Sequence, residues 1–173
     1  MKKSLLAISS CLFLFCMSCN NKAGDDKMGA GKMSDQTEKN IAASHVVVDA
    51  FQSGDVSKID DAVASDFVDH TERGDMGRDS LKSMIKMWHG ASKDNKMEII
   101  KELADDEYVF SWMRFTGTSD GSMGMPAGPY DMRSIEVVKF KDGKAIEHWG
   151  FMEPREMMKW MQQMPAMDTT KKK

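Results

Sequence analysis

The chain has 173 residues, a formal net charge of −3 and 18 methionines, and its length suits one domain with a short attachment. Its one basic run is the Lys171 to Lys173 tail, which argues against a nucleic-acid partner. Cys11, Cys16 and Cys19 crowd the N-terminus, leaving the rest without a disulfide or a thiol nucleophile, and His45, His70, His89 and His148 lack the spacing of metal ligands.

The N-terminal "MKKSLLAISSCLFLFCMSCN" reads as an export signal. Lys2 and Lys3 precede an apolar run, Leu5 to Met17, that is too short for a stable membrane span. Ser18-Cys19 resembles the cleavage box of bacterial lipoproteins. That resemblance implies residues 1–18 as a signal peptide, a diacylglycerol on Cys19, and a place in the bacterial cell envelope, anchored to a membrane; plain secretion or an uncleaved anchor are the alternatives. Residues 19–35 are polar, contain glycine and lack an apolar period, as expected of a flexible tether.

The domain is expected over 36–165, with 166–173 as a disordered basic tail. Ala43, Val46, Val47, Ala50 and Phe51 recur at helical spacing before Gly54, a stop signal. A short helix is predicted over 57–64, with Asp55 or Ser57 as its cap. A third helix places Leu81, Met84, Ile85 and Trp88 on one face. From there the period changes to that of strands: "KMEIIKEL", "EYVFSWMRFTGT", "YDMRSIEVVKF" and "AIEHWGFM", the last two joined by an Asp142-Gly143 hairpin turn. Residues 119–129 form a loop dense in Gly and Pro, and Pro154 opens a last helix with Glu153 as its possible cap. Helices first and a meandering sheet afterwards give an α+β fold.

"FVDHTERGDMGRDSLKSMI", "VFSWMRFTGTSDG" and "DMRSIEVVKFKDGKAIEHWGFMEPREMMKWMQQ" resemble the SnoaL-like polyketide cyclase (ester cyclase) family of the nuclear transport factor 2-like superfamily. The resemblance spans roughly residues 40–164. It implies a cone: a curved antiparallel sheet wrapped around N-terminal helices, with an apolar pocket at the open end. It also implies proton-abstraction chemistry without a cofactor in some members and no assigned reaction in others, and a sheet that in relatives often pairs into a homodimer. Two positions depart from the family pattern. Ser119 follows Gly117-Thr118 where a histidine is common, and Gly150 follows Trp149 where an acid is common.

Three residues are candidates for acid/base work. Adjacent residues on an extended segment point to opposite sides, so Asp69 and His70 do not easily pair. Each is either a pocket group or the partner of a backbone turn. His148 alternates with Glu147, so these two do not pair side by side either; His148 is a pocket histidine or one satisfied within the sheet. Glu153 is a third acid/base candidate, with the helix cap as its other role. Asp69, Trp112, Arg133, Trp149 and Met132 are candidate ligand contacts. Trp112 and Arg114 share one strand face with Tyr108 and Phe110, a face that is either pocket or plain core. Met123, Met125, Met132, Met152, Met157 and Met161 either line a pocket for a flexible apolar ligand or fill the core. Two functions remain open: a pocket enzyme acting on a small apolar carbonyl compound, and a lipid-anchored binding module that performs no chemistry.

Overall fold

The computed structural model describes residues 33–163. The signal segment, Cys19, nearly all of the tether and the basic tail lie outside the described residues.

Helix α1 (Asp35–Ser53) starts one residue before the expected start of the domain, because Ser34 is an effective N-cap. Its hydroxyl accepts from the Thr37 N–H at 3.0 Å, and Gly54 closes the helix in the left-handed region, its N–H on the Ala50 carbonyl. The fully buried Asn40 donates to the carbonyls of Asp105 and Asp106. That bond pins the first half of α1 to a turn of the sheet, where bare apolar packing would leave two carbonyls unsatisfied.

Helix α2 (Ile59–Ala62) is a single turn, shorter than predicted, and has Lys58 at its cap with no side-chain bond. Asp55 instead accepts from the Ser57 N–H in the preceding turn. The chain then becomes extended: β1 (Val63–Thr71) and β2 (Gly74–Met76) form a hairpin ahead of α3 (Arg78–Ala91). Helices alone therefore do not fill the first half. The remaining strands fall where the period-2 runs place them: β3 (Ser92–Ala104), β4 (Tyr108–Ser119), β5 (Gly128–Lys141) and β6 (Lys144–Met152), followed by α4 (Pro154–Gln163). At the turn between β5 and β6, Asp142 and Gly143 both have positive φ, 54° and 77°, as a tight hairpin of this kind requires.

The six strands run in the order β2-β1-β6-β5-β4-β3. All neighbours are antiparallel except β1 and β6, which are parallel. This corrects the expectation of a purely antiparallel sheet. A parallel neighbour needs a long crossover, and here the crossover is everything between Thr71 and Lys144, a connection that no local pattern announces. Bulges in the β1–β6, β3–β4 and β5–β6 pairings break the regular register, and such irregularities bend strands. The curved mixed sheet is that of the α+β cone. Its core gathers Ile59, Val63, Phe67, Leu81, Ile85, Val109 and Phe140, which join the helices to the inner face of the sheet. Among the described residues no helix is long and apolar enough to cross a membrane.

Candidate functional site

A cavity of about 650 Å³ lies on the inner face of the sheet, a size that encloses small organic ligands. Its wall is largely apolar: Phe51, Phe67 and Trp88 from β1 and the helices, and Met113, Phe115 and Val138 from the sheet. Methionines contribute heavily. Met125, Met132, Met152, Met157 and Met161 all border the cavity, together with Met84 and Met97, whereas Met123 does not.

One part of this wall is charged. His148 on β6 donates from Nδ1 to Asp69 Oδ1 at 2.7 Å and from Nε2 to Glu136 Oε2 at 2.8 Å. Each strand supplies one member for a register reason. Asp69 and His148 are directly opposed across the parallel β1–β6 pair, and Glu136 on β5 lies one strand further on, facing Gly150. Strand alternation turns all three to the inner side. The Asp69 side chain is 4% exposed, and those of Glu136 and His148 are 22% and 25% exposed. Burial alone would drive the imidazole toward neutrality. The bonds to Asp69 and Glu136 outweigh it, and the His148 pKa is pushed up to about 9. His148 is therefore an imidazolium at neutral pH, held between two carboxylates. Ser134 adds a hydroxyl bond to Glu136 Oε1. Ser111, opposite Glu136 on β4, donates to Glu102 at 2.9 Å, and Glu102 meets His45 at 3.2 Å.

Gly150 is part of this arrangement. A Cβ there would stand 3.1 Å from Glu136 Oε2 and 3.9 Å from the His148 ring, so a side chain after Trp149 would crowd the bonded pair. The space beside Gly150 is taken by the Glu136 carboxylate of the neighbouring strand.

The two histidines proposed for acid/base work are separated by the sheet. His70 borders the cavity, but its ring turns away to Asp75 at 2.9 Å and Glu147 at 3.3 Å, neither of which lines it. Its ring stacks on Trp149 at 4.9 Å. Asp75 and then Glu147 raise its pKa above the ordinary imidazole value. Lys139, and then His70, hold Glu147 below the usual range.

Glu153 is not part of the cavity wall. Its carboxylate accepts from the Trp112 indole N–H at 3.2 Å, while its carbonyl accepts from Met157 N–H at the start of α4. Trp112 is likewise away from the cavity, on the opposite side of β4 from the wall residues Ser111 and Met113, and 40% exposed. Trp149 is also outside the wall, whereas Met132 and Asp69 are in it. Arg133 borders the cavity, but alternation with Met132 and Ser134 turns its side chain to the far face. There, behind Arg114, it helps hold Asp131 below the usual carboxylate range.

Sequence reasoning missed Glu136, Ser134 and Ser111. A signal for Glu136 was present: an isolated acid in the apolar run "SIEVVKF", on the same alternation as Met132 and Val138. Among the described residues no group of three or more His, Cys, Asp or Glu side chains is placed to hold a metal ion.

No curated protein matches the chain. Solved structures do. AclR of Streptomyces galilaeus superposes with a TM-score of 0.61 at 23% identity, covering 75% of this chain and 99% of its own. IdmH of Streptomyces antibioticus gives 0.59 at 19%, covering 71% and 98%. An LEH-like epoxide hydrolase of M. tuberculosis gives 0.59 at 16%, covering 73% and 92%. At these identities the likeness concerns the fold. The model of the SnoaL-like polyketide cyclase family matches residues 42–164, which takes in every strand, the cavity and the Asp69–His148–Glu136 line, and the chain belongs to that family.

Proposed function

We propose that the protein is exported, anchored to a membrane of the bacterial envelope through a lipid on Cys19, and binds a small apolar molecule in its cavity, where Asp69, His148 and Glu136 shift a proton without a cofactor. The observation that carries this reading is a carboxylate–imidazolium–carboxylate line set into an otherwise apolar 650 Å³ cavity. A carboxylate beside an enolisable carbon acts as a general base, and a cation beside it stabilises the negative charge left on the ligand. Glu136 suits the first role and His148 the second. Once Glu136 carries the ligand's proton it is a poor acceptor, which frees the His148 Nε2–H for the ligand oxygen. His70, Glu153, Trp112 and Trp149 have no part in this reading.

The test follows deuterium uptake by apolar β-keto esters in heavy water. Exchange above the buffer rate, lost in Glu136→Gln and His148→Ala, is the expected result; exchange no faster than buffer sinks the enzymatic reading. One observation favours the alternative, a binding module without chemistry: both ring nitrogens of His148 are already engaged, so the line is also a complete structural element. In that case ligands bind and do not exchange. Mass spectrometry of the wild type and Cys19→Ser checks the anchor, since the acyl mass must vanish in the variant.

A homodimer through the sheet is proposed for the outer face. Trp112, Ile135 and Phe151 are consecutive register partners across β4, β5 and β6 and are 40%, 44% and 56% exposed, an apolar stripe of the kind that marks interaction surfaces. Sedimentation should show a dimer that Ile135→Glu splits.

A further inference from the structure

At the polar end of the cavity two carboxyl groups, Asp69 and Glu136, share one imidazole. Among the described residues neither Asp69 nor Glu136 has a lysine or arginine partner. Arg133, the nearest arginine in sequence, faces the other side of the sheet with Arg114 and Asp131. The hydroxyls of this region are not free donors, because Ser134 and Ser111 each donate their hydrogen to a carboxylate, Glu136 and Glu102. Both N–H groups of His148 are committed in the same way. What the polar end offers an incoming molecule is therefore acceptor lone pairs on two carboxyl groups that no lysine or arginine pairs among the described residues.

Buried charge is costly unless it is paired, and attraction to an opposite charge grows as water is excluded. The rest of the wall suits a cation attached to an apolar body: aromatic faces and thioethers, including Phe67, Trp88, Phe115 and Met113, tolerate positive charge better than an aliphatic wall does. We infer that the ligand of this cavity is an apolar molecule carrying one protonated amine, seated against Glu136 and Asp69, and that the cavity discriminates against carboxylates of the same skeleton. The inference rests on the reading of the cavity as the ligand site and narrows the ligand's class.

Three probes with one skeleton separate the possibilities: 2-naphthylmethylamine, 2-naphthylmethanol and 2-naphthoate, titrated calorimetrically into the full chain at pH 7. The amine is expected to bind at least about tenfold more tightly than the alcohol, and the naphthoate not measurably. Glu136→Gln should bring amine and alcohol to within about threefold of each other. Should that variant fail to fold, the wild-type ranking still decides. Bound amine, but not bound alcohol, should also lower the NMR titration midpoint of His148, since a second cation disfavours the imidazolium. Alcohol binding as well as the amine, or naphthoate binding best, overturns the inference and leaves the cavity reading intact. A Glu136→Gln protein that folds and keeps the full amine preference also overturns it. If none of the three binds, the cavity reading falls and the inference with it.

Discussion

His148 and His70 are each bracketed by two carboxylates, yet they sit on opposite sides of one sheet and are physically different objects. Their strands are paired so that Asp69 opposes His148 and His70 opposes Trp149. One step along either strand turns the ring to the opposite face of the sheet. On the inside, Asp69 is almost wholly buried, at 4% exposed, and Glu136 and His148 are largely covered. On the outside, Asp75 is 69% exposed, and the His70 bonds compete with solvent. The lesson is that a histidine's partners do not by themselves decide its energetic weight. The dielectric around the partners does, because the same Coulomb attraction is several times stronger where water is excluded.

The most severe way to break this comparison is to remove each ring. His148→Ala leaves the buried Asp69 and the half-buried Glu136 without their shared partner and should cost about 3–5 kcal/mol in urea unfolding. His70→Ala should cost far less, because its partners return to water. Equal losses would show that the two clusters are equivalent.

The next test is pH. The folded-state pKa of His148 is about 9, above the 6.5 of free imidazole. Its contribution to stability is therefore fully present below pH 6.5, declines as the pH rises through 9, and is absent above it. The loss should be about 3 kcal/mol at most by denaturation at successive pH values, and should be missing in His148→Ala. His70 acts in the same direction, since its pKa is also raised, and NMR should find its midpoint below that of His148.

Gly150→Ala sharpens the comparison more gently. Its methyl group would press on Glu136 Oε2 and should cost about 1–2 kcal/mol while lowering the His148 midpoint and leaving that of His70 unchanged. Ser134→Ala removes one hydroxyl bond to Glu136 and should cost roughly 1 kcal/mol by the same measurement.

Much of the fold was legible along the chain because its signals are local. The apolar spacing around Leu81 and Ile85, the alternation in β3 to β6, the Asp142-Gly143 turn and Pro154 at the start of α4 all depend on neighbours a few residues away. Local alternation also separated Asp69 from His70 and Glu147 from His148. It could not say which of two faces meets the cavity. Trp112 is a pocket candidate for this reason, since an aromatic strand face reads the same whether it packs inward or lies on the outer surface.

The family, the α+β class and the division of each strand into two faces were thus determined by the sequence by itself, because residue spacing and turn chemistry carry that information over short stretches. The site was decided by tertiary structure. The parallel pairing of β1 with β6 joins residues 79 positions apart to make the Asp69–His148 bond, and the β5–β6 register places Glu136 opposite Gly150. Strand register across such distances is set by the burial of a whole face, and only the packed sheet determines which charges share the same water-poor space.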